Sequence, residues 1–409
     1  MKERLKTVLI LMLSLSALFL LSRTWVYDME PGNAEQPAVF APARQDYTAA
    51  AVIPARCAVM SGGIRRGAQY SQAARTVYAS FRPILTEALN EAGEPRLLST
   101  PLERRTLMDR DGVYFEYTGS YPMPLISAWL SAEGPAGGNV TAMGLSFFEG
   151  KTELYWREAD GSVWAAPAGT EAAQWPGLPE GMSLCAFAYE SEKLRGVTPW
   201  LLVIDDQALY PSARLEAPPD IRENLESYTP FLESLGMPPL STNFYASGDA
   251  RIYISDEGAR SCEIASGGGI FYADKTPVPE GSQANAQPRA LILPAAALRA
   301  LDVVSSLKPA TGEASYEVYA AEQTEEGVTV TLMLTLSGVP ILHDPAVVVV
   351  EGSVVRSVSL KLCGVQRGSE SGKPLPPEYA ALLPGGERLG LCYSGGGDGL
   401  ASVGWMAIG

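Results

Sequence analysis

The chain has one histidine, and that narrows the chemistry open to it. A serine or cysteine triad, or a histidine-based zinc site, has only His343 to draw on. His343 sits in Gly338-Val-Pro-Ile-Leu-His-Asp-Pro345, between two strand-like runs, where a solvent-facing loop residue needs no function. Ser305-Ser-Leu-Lys308 has the spacing that sets a nucleophile and its base one helical turn apart. Its companion motifs do not follow: Ser241-Thr-Asn243 precedes it, and no Lys-Thr-Gly occurs. Asp205-Asp206 ends the apolar run Trp200–Ile204, a place where carboxylates hold metals or move protons. A strand emerging into water gives the same pattern. Asp160, Asp256 and Glu257 read as turn acids, and no calcium-loop spacing appears. Gly267-Gly-Gly269 lacks the helix, Lys and Ser/Thr of a phosphate loop and reads as a turn. Cys57, Cys185, Cys262, Cys363 and Cys392 are far apart, with no Cys-x-x-Cys. They read as small buried thiols in strands, with room for one long-range bridge. No catalytic residue, metal ligand or cofactor site is assigned, and the chain reads as a non-enzyme.

Composition points the same way. The 409 residues are 46% hydrophobic, enough for real cores and for two or three domains. Lys and Arg number 31 against 46 Asp and Glu. Setting aside Lys2, Glu3, Arg4, Lys6 and Arg23 leaves 27 against 45, a net −18 beyond residue 27. Such a surface repels phosphate polyanions, so nucleic acid is excluded as a partner.

The elements that would position any site are short. Val77, Phe81, Ile84, Leu85, Ala88 and Leu89 recur at helical spacing, predicting an amphipathic helix from Ser71 to about Glu91, kinked at Pro83. Val113–Tyr117 reads as a strand and Pro124–Leu130 as a short helix. Thr141–Phe148, Thr152–Arg157 and Ser162–Ala166 read as a meander, with Met182–Tyr189 and Trp200–Ile204 completing the unit. Pro211–Pro219 reads as a boundary, Ile221–Leu235 as a helix, and Arg251–Ile254, Ser261–Ile264 and Ile270–Tyr272 as a hairpin unit. Residues 275–290 read as a linker, Pro294–Ser306 as a helix and Tyr379–Leu383 as a short helix. Gly327–Leu336 alternates most cleanly, with Val328, Val330, Leu332, Leu334 and Leu336 on one face. Ala346–Val350 and Val354–Leu362 form a hairpin whose inner face holds Val354, Val358, Leu360 and Leu362, with Arg356 among them. Leu389–Tyr393 and Leu400–Ile408 read as last strands. The outer halves both use a helix followed by antiparallel strands.

The N-terminal run Thr7–Ser22 carries no charge, Pro or Gly. As a helix it spans ~24 Å, and continuing to Tyr27 brings it to ~31 Å, against a hydrocarbon core of about 30 Å. Lys2, Arg4 and Lys6 before it, with Arg23, Trp25 and Tyr27 after it, are interface anchors that place the N-terminus in the cytoplasm and the bulk outside. A cleaved signal peptide is the competing reading. Ser14 and Ala17 lie one turn apart, beside Leu11, Leu18 and Leu21, and could meet a partner helix. The expected plan is α+β: an anchor in residues 1–27, a stalk in 28–50, and antiparallel sheets with packed helices in 51–215, 216–285 and 286–409.

Several stretches resemble, in order, the YycH-like accessory proteins and their YycI relatives. Lys6-Thr-Val-Leu-Ile to Trp25 resembles their anchor. Val113-Tyr-Phe-Glu-Tyr117 followed by Tyr121-Pro-Met-Pro-Leu-Ile126 is similar to their aromatic strand and turn. Leu209-Tyr-Pro211 resembles a recurring Tyr-x-Pro corner. Arg251-Ile-Tyr-Ile254 through Gly269-Ile-Phe-Tyr272 resembles the middle hairpin, and Leu389-Gly-Leu-Cys-Tyr393 with Gly404-Trp405 resembles the C-terminal ending, with Gly404 where Pro is expected. The resemblance implies a membrane-anchored, extracytoplasmic regulator of the WalK (YycG) sensor histidine kinase in cell-wall control. Contact would run through the kinase's membrane helices and external domain, with a YycI-like protein as a further partner. An external ligand- or wall-binding module without kinase contact is the alternative.

Overall fold

Alternation of apolar and polar side chains governs most of the chain, and backbone pairing follows it. The structure is a computed structural model; it describes residues 54–70, 72–169, 180–192, 194, 200–205, 208–277, 289–325, 327–374, 389–395 and 399–407. In chain order the first half holds β1 (Arg56–Ser61), β2 (Ile64–Gln69), α1 (Gln72–Asn90), β3 (Arg96–Leu97), α2 (Pro101–Met108), β4 (Asp111–Pro122) and α3 (Met123–Trp129). It continues with β5 (Asn139–Phe148), β6 (Lys151–Glu158), β7 (Val163–Ala168), β8 (Ser183–Phe187), β9 (Leu202–Ile204) and β10 (Tyr210–Glu216). Then come α4 (Thr229–Ser234), β11 (Asn243–Ser247), β12 (Ala250–Ser255), β13 (Arg260–Ala265) and β14 (Gly269–Asp274). The last part holds α5 (Arg289–Ser305), α6 (Lys308–Thr311), β15 (Ser315–Thr324), β16 (Gly327–Leu336), β17 (Val339–Pro340), β18 (Ala346–Glu351), β19 (Val354–Lys361), β20 (Gly364–Gly372), β21 (Leu389–Gly395) and β22 (Leu400–Ala407).

Two antiparallel meanders meet at β4. One runs β8-β2-β1-β4-β5-β6-β7. The other runs β11-β12-β13-β14-β19-β18-β16-β15. They join where β15 lies parallel to β4, pairing Ala320 with Ser120. Gly119 makes that approach possible: a Cβ there would fall on the Tyr319 carbonyl oxygen. Tyr121 pins the seam by donating its hydroxyl to the Val318 carbonyl at 2.7 Å.

Each meander is backed by a helix. The predicted apolar face of α1, from Val77 to Leu89, is buried. Each such side chain contributes about 1.5–3 kcal/mol of gross burial energy. Phe115 of β4 meets Tyr78 and Phe81 edge-on, with ring centroids 5.2 and 6.3 Å apart. Thr86 and Arg82 of α1 donate to the carbonyls of Leu130 and Trp129, covering the open C-terminal end of α3. In the second meander α5 packs on β15, β16 and β18. Its Ala296, Ala297, Ala300, Val303 and Val304 belong to the same core as Val330, Leu332 and Val348. The opposite face of the first meander carries Ala58, Tyr114, Ala142 and Tyr155 and is covered by Leu107, Met108 and Phe187.

This architecture corrects the expected α+β plan with a transmembrane helix. Of the described residues 50% are strand and 22% helix, so the architecture is mostly β. Among the described residues no helix is long and apolar enough to cross a membrane. The longest, α1, carries Arg75, Arg82 and Glu87 opposite its apolar face. The single-pass membrane placement drawn from the sequence is withdrawn on the same ground. The run Thr7–Ser22 that suggested it lies outside the described residues. Helix was over-assigned at Ile221–Leu235, which holds only a short 3-10 turn and the six-residue α4 starting beside Pro230. The Pro-rich stretch from Pro211 is β10, with a register shift between Pro211 and Ala213 that accommodates the missing N–H. A bulge at Val349 and Val350 changes the phase of β19, so Val355 rather than Val354 joins Val358 and Leu360 inside. Arg356 is thereby turned toward Glu351, at 2.7 Å, and the Thr276 carbonyl, at 2.6 Å.

The seam gives a test. Gly119→Ala is expected to lower unfolding stability by more than ~2 kcal/mol in a urea titration, because the added methyl pushes β15 off β4. An unchanged midpoint would show that the parallel contact carries no stability.

Candidate protein-interaction surface

The residues singled out for chemistry are scattered. His343 donates from Nε2 to the Lys361 carbonyl at 2.9 Å and is half-buried. α5 ends at Ser305 and α6 begins at Lys308, so the two are not one turn apart on a continuous helix. The Lys308 ammonium donates to the Ala314 carbonyl at 2.6 Å. Asp205 is exposed past the end of β9; Asp206 lies outside the described residues. Leu11, Ser14, Ala17, Leu18 and Leu21 also lie outside them, as do Lys2, Arg4, Lys6, Arg23, Trp25 and Tyr27. All five cysteines are free. Burial pushes the Cys57 and Cys185 thiols up to about 12 and Cys392 to about 11, and it raises Cys262 and Cys363 as well. Such thiols are poor nucleophiles.

Two polar clusters, each built on a buried arginine, were not foreseen. Arg56, Glu116, Ala142 and Arg157 form one cross-strand row over β1, β4, β5 and β6. The Glu116 carboxylate takes Arg56 at 3.2 Å and Arg157 at 3.4 Å. In the second cluster Arg65 pairs with Glu190 and, at 3.0 Å, with Asp109, and stacks over the Phe187 ring. Tyr189 donates to the same Asp109 at 2.7 Å. A hollow of about 10 Å³, little more than room for one water, lies beside it, lined by Ala58, Arg65, Met108, Tyr114, Tyr155 and Phe187. Ligand pockets run from about 300 to 1,000 Å³, so this one is small for an organic ligand. Both clusters join strands to what packs on them.

The exposed feature is the free end of the second meander. Among the described residues β11 pairs with β12 alone, in regular register, and all five of its residues are exposed. The hairpin turns at Gly248-Asp249, with Gly248 at a φ of 62°, the glycine-first arrangement of a type II′ turn. Tyr245, Ile252, Glu263 and Phe271 stand side by side across β11 to β14 on the outer face. Tyr245 is 50% exposed and Phe271 57%. Phe244 points the other way, its ring 5.7 Å from Tyr253 and capped by the Arg251 guanidinium at 5.2 Å, yet it is still 54% exposed. Leu240, just before β11, is fully exposed. Sequence reasoning missed β11. The signal was there: two aromatics, then Ser247-Gly-Asp249, then the alternation of Arg251–Ile254.

No family model matches the chain, and no curated protein matches it in sequence. Among solved structures, the dehydratase domain from the CurF module of curacin polyketide synthase aligns at 13% identity. The alignment covers 68% of this chain and 99% of that domain, with a TM-score of 0.14, too low for any argument from likeness.

The raised thiols predict a pH dependence. A thiol whose folded pKa lies above its unfolded value of about 8.5 contributes stability that is whole below that pH and lost as pH rises toward the folded value. The urea midpoint should therefore fall from pH 8.5 upward, and less steeply in Cys57→Ala/Cys185→Ala. A thiol reagent at pH 8 should label Cys57 and Cys262 only on unfolding. Rapid labelling of the folded protein would contradict their burial.

Proposed function

We propose that this protein is a regulator that acts by binding another protein, not by turning over a substrate. The observation that carries the reading is the outer face of β11–β14, where Tyr245 and Phe271 are half exposed in one row beside a free strand edge. Aromatic side chains of this kind are enriched at protein interfaces, because a rigid ring buries much area for little lost entropy. Ile252 and Glu263 stand between the two rings, so the face mixes apolar and polar groups, as non-obligate interfaces do. The partner suggested by the resemblance to the YycH-like proteins is a sensor histidine kinase of cell-wall control. Regulation then requires only that this surface bind one kinase state more tightly than the other. A difference of about 1–3 kcal/mol shifts the populations several-fold or more.

The test is co-purification of the kinase with the full chain. Tyr245→Asp/Phe271→Asp places two carboxylates on the outer face without touching the core. Recovery of the kinase should drop at least tenfold, with the urea midpoint unchanged. Equal recovery by the variant and the parent would remove this surface from kinase binding.

A further inference from the structure

We propose that β11 accepts an extended, lysine- or arginine-bearing segment of a partner protein as an added strand. The proposal rests on the protein-binding reading above and names what the bound segment is.

The first ground is the backbone. In an antiparallel pair every second residue turns its N–H and C=O away from its neighbour. Among the described residues nothing pairs with those groups along Asn243–Ser247, all five residues of which are exposed, over a length of ~17 Å. Natural sheets blunt such edges with Lys, Pro, bulges or very short strands. β11 has none of these: it is Asn-Phe-Tyr-Ala-Ser, and its register with β12 is unbroken. The strand is also held in shape before anything binds. The Gly248 turn closes one end, and the Phe244 ring is held between Tyr253 and Arg251. A preformed edge loses little conformational entropy when a strand is added.

The second ground is charge. Residues 243–274 carry Asp249, Asp256, Glu257, Glu263 and Asp274 against Arg251 and Arg260. Both arginines are engaged: Arg260 with Asp256, and Arg251 with the Phe244 ring and the Arg222 carbonyl at 3.1 Å. Among the described residues Asp249, Glu257 and Glu263 make no ion pair, and Glu263 stands in the same row as Tyr245. Asp249, in the β11–β12 turn, and Glu257, just past β12, stand at the two ends of β11, so an added strand would lie along an acidic rim. A basic segment is drawn to that rim and an acidic one repelled. A second copy of this chain, at net −15, would bring two such rims together.

The probe is a synthetic decapeptide alternating Lys with Val and Thr, and its counterpart with every Lys replaced by Glu. The readout is amide exchange of residues 243–247 in the full chain at low salt. The Lys peptide should slow exchange in β11, and the effect should fade as salt rises. The Glu peptide should leave exchange unchanged. Pro is tolerated on an edge strand where the N–H faces solvent, so of Tyr245→Pro and Ala246→Pro one keeps the fold and loses an outward donor. That variant should lose the protection. Glu263→Lys/Glu257→Lys, both exposed, should weaken peptide binding about tenfold and serves should both proline variants unfold. No protection by the Lys peptide overturns the proposal, as does equal protection by the Glu peptide. So does protection of β11 with no peptide present, accompanied by dimers in sedimentation. Kinase recovery that survives the folded proline variant removes strand addition and leaves the protein-binding reading standing. Peptide protection without any kinase recovery does the reverse.

Discussion

A carboxylate inside a sheet must be answered by cations on neighbouring strands, and Glu116 is answered by two. It is 3% exposed, in the middle of β4, the strand that β1, β5 and β15 all join. Arg56 reaches it from β1 and Arg157 from β6, two strands away on the other side, across the small side chain of Ala142. A one-residue slip of any of these strands would turn its charge to the other face, among the apolar side chains under α1. Leaving one of these buried ions unpaired costs about 3–5 kcal/mol. The row therefore acts more on register than on net stability. It also reaches the end of the chain, because Arg56 donates to the Leu389 carbonyl of β21 at 3.0 Å and lies over the Trp405 ring. Residues more than 300 positions apart are tied by one guanidinium.

What sequence can show depends on whether a pattern is local. The apolar face of α1 and the alternation of β16 are repeated many times within one element, and both are found in the structure where the pattern placed them. Two of the strands that escaped notice, β20 and β11, have weak patterns of their own. In β20 only Val365 is buried, and all of β11 is exposed. These segments are strands because a neighbour supplies hydrogen bonds, not because they bury a face. The same limit explains Arg356. It read as a charge on an inner face, and a bulge set by pairing with β18 moved it to the rim. The Ile221–Leu235 stretch failed differently: apolar spacing survives there, but Pro230 and tertiary contacts of Tyr228 and Phe231 leave only α4 helical.

The charged row was invisible for a related reason. Arg56, Glu116 and Arg157 are ordinary residues at wide separations, and nothing in their spacing announces that they share a face. Only the register of β1, β4, β5 and β6 brings them together. By contrast the aromatic pair Phe244-Tyr245 could have been found, since a glycine turn followed by an alternating strand marks a hairpin arm before it.

The same register logic isolates β11. Other margins of the sheets are protected by means that natural proteins commonly use. β3 ends one side with two residues and β9 another with three. β20, at the border of the four-stranded sheet it forms with β10, β22 and β21, is long but carries Gln366, Arg367 and Glu370. β21, on the far border, is bridged by Ile341 at Tyr393. β11 alone among these is uncharged, unbroken and exposed along its whole length. An edge of that kind left bare would pair with other chains indiscriminately. The acidic side chains at its ends and along its row restrict that, since they repel most copies of this acidic protein. They also define which strand can approach. The charge that keeps the edge from self-association is therefore the charge that would select its partner.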